Sequence, residues 1–486
     1  APERIKNLLA GFSNTKNFDL EIKNSGSPLE DEINFSDQFE TKISEYIQRF
    51  NDEFKMYWKG ATEYFNQGQL LLAVSHMDIC WALNKLRSVR HFKNLFSRIY
   101  LNYISEKIYD KNKVAIYAIC KNERAFVERW VDSMREADYI CVLDTGSTDG
   151  TYETFVEMSK KNPKIIVSRV EIQPWRFDIP RNIAMSLVPD DANILLSTDL
   201  DEILEPGWYE DLTSNWEDGV HERANYQYAW SHTLSGANGR VFWYNKVHTR
   251  KWIWRYPVHE LLYNLETGSE DYPSSQGVNL NKMFLHHFPD TSKSRGNYLP
   301  LLEQRAIEDE NDTYGLIYLA HEYNYRGYYQ NSIDLYNNVV LKRIDENDTL
   351  MRACSYLFMG DDYVALKNVE MAEECYKKAI ESDPTYREAY LNLAQVYVDT
   401  GRHQEAIKYI KDAINNSVRH YSWLERDISW TYQPFDLLAL AYFYTGDKVR
   451  AYASAIQAAQ LEPADGRLQN NVKLIKESLT DKDWGV

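Results

Sequence analysis

The sequence predicts an α/β domain with a mostly parallel sheet, followed by an all-α domain built from repeats. Three observations predict it. Between Val114 and Glu202, short apolar runs alternate with amphipathic stretches of helical period. The last of these runs, Asn193–Glu202 (NILLSTDLDE), breaks from Ile194, Leu195 and Leu196 into Ser197, Thr198 and the paired carboxylates Asp199 and Asp201. Beyond Asp290, small and aromatic residues recur at fixed spacing: Ala372 and Ala406 lie 34 residues apart, and Tyr363, Tyr397 and Tyr442 each stand nine residues before Ala372, Ala406 and Ala451.

Taken in order, residues 1–45 are polar with little periodicity and read as an arm. From about Tyr46 to Leu101 the period is helical, and Tyr57, Tyr64, Gly68, Ala73 and Cys80 fall where a helical hairpin wants aromatic, turn and small residues. Residues 114–120 (VAIYAIC) form the first expected strand, and 121–134 an amphipathic helix. A second strand (139–144), a polar loop (145–151) and a second helix (152–160) follow, then a third strand (164–170) and a helix over 180–188 opened by Pro180. The strand ending at the Asp pair is the fourth. Such alternation implies parallel strands joined by helices on both faces, with ligands beyond the carboxyl ends. Residues 118–123, 144–149 and 198–202 therefore share one rim.

After Trp208, aromatic stretches at 226–233, 241–249, 252–263 and 283–290 read as antiparallel strands and loops completing the sheet edge. The repeats come next, with Gly401 and Gly446 at inter-helix turns and Pro384 and Pro463 twelve residues after Ala372 and Ala451. A looser copy runs through Tyr323, Gly327, Ser332 and Tyr336. A helix pair cannot bury its own faces and must stack on neighbours. The longer step from Ala406 to Ala451 implies an insertion over 417–433. The expected domains are 1–110, a polar arm and helical region; 111–290, the α/β domain; and 291–486, the repeats.

Composition narrows the function. With 55 Lys and Arg against 72 Asp and Glu, the net charge is −17, which argues against non-specific binding to nucleic acid or anionic membrane. No apolar segment is long enough for a membrane span and no basic-then-apolar leader opens the sequence, whose start at Ala1 leaves room for a trimmed leader or tag. A cytoplasmic location is expected from the reduced, buried thiols that Cys120 and Cys141 imply inside apolar runs. Cys80, Cys120, Cys141, Cys354 and Cys375 have neither metal nor disulfide spacing.

The Asp pair is the first chemical candidate. Residues two apart in a strand share a side, so Asp199 and Asp201 can offer oxygens to one hard cation if strand geometry persists; the alternative is a solvated acidic loop. Alternatives stand beside the other residues too. Asp149 reads as a helix cap, Asp178 and Arg181 as a local ion pair, Glu202 as a solvated neighbour of the Asp pair, and His286 as a core histidine. Trp243, Trp252 and Trp254 read as core rather than as a sugar platform.

The motifs YAICKNE, VLDTGSTDGT, the Arg181–Asn182 helix start and DLD, in this order, resemble those of a family 2-type glycosyltransferase with the GT-A fold. The continuation HHFPDTSKSRGNYLPLLE into repeats of tetratricopeptide period is similar to bacterial and phage glycosyltransferases of two-part design, peptide S-glycosyltransferases included. The resemblance covers about three quarters of the chain, leaves 1–110 unexplained, and implies a metal-dependent, inverting transfer from a nucleotide-diphosphate sugar, with a UDP-sugar as first expectation. Ala118, Asn122, Glu123 and Asp144 would hold base and ribose. Asp178 and Arg181 would lie near base or diphosphate, and Asp199 near the ribose. Asp201 and His287 would ligate Mn2+ or Mg2+, and Lys293 and Arg295 would contact phosphates. A nucleoside diphosphate gains negative charge as it leaves, so cations there act on the transition state. The acceptor needs a base, for which Glu260 is favoured and His259 is the neighbour. The repeats would present a protein or peptide acceptor. A polysaccharide, lipid-carrier or phage-DNA acceptor, a nucleotidyltransferase, and a scaffold on an inactive domain are the competing expectations.

Overall fold

The structure, a computed structural model, describes residues 52–83, 87–107, 109, 111–230, 240–289, 298–309, 311–420 and 424–480. Lys293 and Arg295, two expected phosphate contacts, lie outside the described residues. The chain divides into two compact units, one ending at Gly315 and the other running from Leu316.

In the first unit, helix α1 (52–66), α2 (Leu70–Leu83) and α3 (Arg87–Ser105) precede the sheet. Gly68 turns between the first two with φ 75, where a side chain would be strained. The strands β1 (Val114–Cys120), β2 (Tyr139–Asp144), β3 (Ile165–Arg169) and β4 (Ile194–Ser197) run parallel in the order β3-β2-β1-β4. Their apolar runs are unbroken because both faces are covered. One face of β1 (Val114, Ile116, Ala118, Cys120) packs with Trp130 and Phe155, and the other (Ala115, Tyr117, Ile119) joins Ala184, Met185, Ala73 and Met77 in a second core. Beyond β4, β7 (Arg240–His248) pairs antiparallel. The sheet continues through β6 (Arg223–Trp230), β10 (Gly277–His287) and β5 (Glu202–Leu204).

Some element bounds differ from expectation, each for a local reason. The helix expected over 121–134 is a 3-10 turn at Arg124–Phe126 followed by α4 (Val127–Ser133). The amides of Asn122 and Glu123 are instead bonded to Ser147 Oγ and Thr151 Oγ1, 2.8 and 2.9 Å away, which binds this stretch to the loop after β2. The second connection is α5 (Thr151–Lys161). The third, α6 (Asp178–Ser186), starts two residues earlier than expected, with the Asp178 carboxylate on the Ile179 amide. Pro180 then sits in the first turn, where amides have no intrahelical partner. The stretch over 252–263, expected among the antiparallel strands and loops, is a separate hairpin, β8 (Trp252–Arg255) and β9 (Leu261–Asn264), so His259 and Glu260 lie in its turn.

Past β10, α8 (Tyr298–Glu308) closes the first unit, which also holds α7 (Trp208–Asn215) before β6. All five cysteines are buried, and burial pushes the thiols of Cys80, Cys141, Cys354 and Cys375 up to about 12. No helix among the described residues is long and apolar enough to cross a membrane.

The second unit is helical. Its central pairs are α9 (Thr349–Ala365) with α10 (Val369–Ser382), α11 (Arg387–Asp399) with α12 (His403–Asn415), and α13 (Gln433–Tyr444) with α14 (Lys448–Leu461). Ala372, Ala406 and Ala451 are fully buried, as their recurrence requires. Gly360 admits the ring of Tyr376, which a Cβ would meet at 2.4 Å. The described part of the insertion after residue 423 is fastened: the Arg387 guanidinium lies 3.6 Å from the Trp430 ring, and Arg426 pairs with Asp361 at 3.0 Å.

Candidate active site

A cavity of about 700 Å³ opens beyond the carboxyl ends of β1 and β4. Its charged wall is a chain of alternating sign. Glu260 pairs with Arg181, whose guanidinium also reaches Asp199 at 3.0 Å and Ser197 Oγ at 3.1 Å. Lys246 Nζ stands 3.4 Å from Asp199 and 3.3 Å from Glu202, and Glu202 also accepts from the Asp199 amide and Tyr228 hydroxyl, both at 2.9 Å. Burial opposes the charged form of Asp199, yet Arg181 and Lys246 hold its carboxyl well below the ordinary range. For Glu202, burial wins over Lys246 and pushes the carboxyl up. Burial likewise opposes the charge on Lys246, but Asp199 and Glu202 hold the ammonium strongly protonated.

The Asp pair does not continue the strand: β4 stops at Ser197, and residues 200 and 201 form a turn whose Leu200 is buried in the core. The two carboxylates consequently face different partners. Asp199 belongs to the alternating chain, whereas Asp201 Oδ2 lies 3.4 Å from His287 Nε2. His287 Nδ1 is buried and has no hydrogen-bond partner among the described residues. Oxygen and imidazole donors at this separation suit a divalent cation that takes its remaining ligands from substrate and water. Among the described residues no group of three or more His, Cys, Asp or Glu is placed to hold a metal. His286 faces Glu205, 2.7 Å away.

At the other end, Asn122 and Glu123 line the cavity, Asn122 with φ 55 and its side-chain oxygen accepting from the Thr148 amide at 2.7 Å. Asp144 is fully buried and shapes the adjoining loop, accepting from the amides of Gly146 and Ser147 at 3.0 and 2.9 Å. Asp149 accepts from the Thr151 amide at 3.0 Å, but Gly150 rather than Asp149 takes the cap position of α5. Ala118 is buried in the sheet core and does not line the cavity. Nor does Asp178, whose partner is Arg176 at 2.8 Å rather than Arg181; Arg176 also holds Glu308 of α8 at 2.6 Å. His259 lines the cavity with φ 48, its ring 5.7 Å from that of Tyr298. Thus Asn122, Glu123, Arg181, Asp199, Asp201, His259, Glu260 and His287 come together, with Asp144 behind them.

Sequence reasoning missed Lys246, the aromatic lining and its support. Trp175, Phe177 and Tyr298 line the cavity beside His259, while Tyr228, Trp230 and Tyr244 lie along it beside His287. Trp230 is 39% exposed with its ring 4.6 Å from that of His287. Trp252 and Trp254 are buried, although Trp254 also lines the cavity, and Trp243 is 48% exposed. Behind Trp254 runs a buried proton chain. Its indole N–H donates to Tyr117 Oη at 2.6 Å, Tyr117 donates to His248 Nε2 at 2.6 Å, and His248 Nδ1 donates to the Thr249 carbonyl at 2.7 Å. Burial drops the His248 imidazole to about 3, so it is neutral at physiological pH and this tautomer is the one that satisfies every member.

The family model for glycosyl transferase family 2 matches residues 116–258, and that for the tetratricopeptide repeat matches 352–417. Among curated proteins no match was found. Among solved structures, the chain is similar to MamA at 19% identity, over 35% of this chain and 89% of that one, with a TM-score of 0.28. It is similar to a thermophilic tetratricopeptide protein of Thermus thermophilus at 21% identity over 36% and 88%, TM-score 0.29. The second tetratricopeptide domain of human RPAP3, solved with an HSP70 peptide, gives 22% identity over 26% and 98%, TM-score 0.23. Scores this low carry no argument, and the assignment rests on the two family models. The chain carries a glycosyltransferase family 2 domain and, after it, a tetratricopeptide-repeat region.

Proposed function

We propose that the chain transfers a sugar from a nucleotide-diphosphate donor, a UDP-sugar first among them, to a protein or peptide acceptor, with inversion and with Mn2+ or Mg2+ between Asp201 and His287. The observation that carries this reading is the charge of the cavity. Lys121, Arg181 and Lys246 stand against Glu123, Asp199, Asp201, Glu202 and Glu260, which leaves the lining acidic by up to two charges. A dianionic diphosphate enters such a site only with a cation beside it. What a divalent ion supplies when bound is stabilisation of the charge growing on the leaving diphosphate.

The chain's own residues do the rest. Asn122, Glu123 and the loop shaped by Asp144 receive base and ribose. Arg181 keeps Asp199 and Glu260 in fixed positions, so neither must reorganise as charge moves. The acceptor atom attacks the anomeric carbon as the bond to the diphosphate breaks, and its proton passes to Glu260, with His259 beside it. The aromatic walls exclude water and offer ring area to the sugar. The acceptor assignment rests on the repeats, whose stacked helix pairs form extended surfaces suited to peptides.

Thermal shift with UDP-, GDP-, dTDP- and CMP-sugars, each with and without manganese, tests the donor and metal assignments. A manganese-dependent rise with one nucleotide class, absent in Asp201→Asn, is the expected result. A rise of equal size in the absence of metal removes the metal assignment, and no rise with any donor removes the donor assignment.

A further inference from the structure

A second cavity, of about 440 Å³, lies elsewhere in the first unit and shares no lining residue with the catalytic one. That volume falls within the range of roughly 300–1,000 Å³ usual for small-molecule sites. The two cavities are separated by β8: Trp254 lines the first and its neighbour Arg255 the second, as alternation along a strand dictates.

The chemistry of the lining selects its occupant. Lys93 and Arg255 supply cations, fixed on Asp78 at 2.6 and 2.7 Å. Glu270, Asp271 and Asp309 supply carboxylates, and Trp81, Tyr256 and Tyr263 supply rings. With Lys93 and Arg255 both paired to Asp78, the three remaining carboxylates leave the lining acidic, so a small anion would meet like-charge repulsion, while a bare small cation would offer nothing to the two cationic side chains. A neutral polyol meets neither penalty, because each hydroxyl both donates to a carboxylate and accepts from an ammonium or guanidinium. The rings add apolar area for the carbon face of a sugar.

The frame of the cavity is held independently of any ligand. Arg255 and Lys93 lie over the Tyr263 ring at 4.2 and 5.2 Å, which fixes that ring from within the protein. Tyr256 adopts φ 79, a conformation a bulky residue seldom takes, and its hydroxyl donates to Asp309 at 3.2 Å while Arg305 stacks on its ring at 4.1 Å. We infer that this cavity is a binding site for a neutral saccharide, distinct from the site of transfer.

The test is ligand-observed saturation-transfer NMR on the full chain with glucose, galactose, mannose, N-acetylglucosamine, maltose and cellobiose. UDP and magnesium, a diamagnetic ion, are present so that the catalytic cavity is engaged. Asp271 is exposed, so Asp271→Ala tests the site without endangering the fold, and the isosteric Glu270→Gln serves as the second variant. Binding of at least one saccharide is expected, weakened about tenfold or more in each variant, the worth of one hydrogen bond to a charged group. Trp230→Ala, in the other cavity, should leave that binding unchanged. Absence of binding across the panel overturns the inference. So does binding that survives Asp271→Ala and Glu270→Gln but is lost in Trp230→Ala. Neither turnover nor a donor is needed for this readout, so the inference and the proposed transfer reaction fail separately.

Discussion

Lys246 is the residue whose removal asks most of the alternating charge chain. In Lys246→Met, Glu202 and Asp199 lose the cation that stands 3.3 and 3.4 Å from them, while Glu202 stays 1% exposed. Breaking a buried pair from one side typically costs about 3–5 kcal/mol, and these contacts are long enough that the lower end is expected. Each kcal/mol moves the melting temperature of a domain this large by about 2–4 °C, so a fall of roughly 6–12 °C is predicted. The loss should depend on pH. Burial already raises the Glu202 carboxyl, and without Lys246 it rises further. A carboxyl raised in the folded state contributes stability that is present below its unfolded value, about 4.5, and lost as pH climbs through the folded one. The gap between wild type and variant should therefore be widest near pH 8 and narrow towards pH 5. Glu202→Gln in the same background should recover part of it. Thermal unfolding across that pH range is the assay. A difference below about 1 kcal/mol that does not change with pH would mean the pair is solvated and the reasoning wrong.

Other consequences are more direct. Asp201→Asn and His287→Ala should each abolish divalent-dependent turnover. Asp201→Asn should leave the melting temperature within about 2 °C of wild type, whereas His287→Ala also removes a buried ring packed on Trp230 and should lower it further; turnover and melting curves check both. Tyr117→Phe leaves His248 Nε2 and the Trp254 indole without their shared partner, and should cost about 1–3 kcal/mol in urea unfolding. Gly360→Ala drives a methyl into the Tyr376 ring and should destabilise the repeat unit by about 1–3 kcal/mol, seen as an earlier transition for that unit. Asp362 is fully buried and its carboxyl is pushed up to about 7 by burial, so its contribution is lost as pH rises through that value. Asp362→Asn should therefore stabilise at about pH 8 and change little at about pH 4.

What could be read in the sequence follows from what local pattern encodes. β1, β2 and β4 are legible because strands covered on both faces are apolar throughout, and the repeats because their packing alanines return at 34 residues. The rim of carboxylates follows from strand direction. Long-range partners are illegible. Lys246 sits on β7 between aromatic and polar neighbours, where alternation suggests a solvent-facing lysine, yet its partners lie 44 and 47 residues away. Glu202, expected as solvated, is buried by Tyr228 and that same lysine. Asp178 reads as paired with Arg181 one helical turn on, but Arg176, fixed by Glu308 132 residues away, is the closer cation. The Asp pair is expected side by side on a strand, and the turn after Ser197 instead sends each to its own partner.

The same charge chain separates its two terminal carboxylates by role. Glu202 accepts from an amide, a tyrosine and Lys246, and is 1% exposed. Glu202 borders the cavity too, but both its oxygens are already engaged, which leaves an acceptor atom less room to come within the roughly 2.6–3.2 Å that proton transfer needs. Glu260 is held by Arg181 alone among its hydrogen-bond and ion-pair partners in the described residues, lines the cavity, and lies in the β8–β9 turn beside His259. Its position is fixed by one guanidinium, so it can present an oxygen without breaking a network. Glu260→Gln keeps the shape and removes the basicity; general-base loss then predicts a fall in kcat of about 10²–10⁴-fold. Donor-induced thermal shift should persist, because the diphosphate side is untouched. Glu202→Gln should keep kcat within about tenfold. If Glu260→Gln turns over normally while Glu202→Gln does not, the base lies at the enclosed end of the chain, and the acceptor must approach from the side of Tyr228 instead.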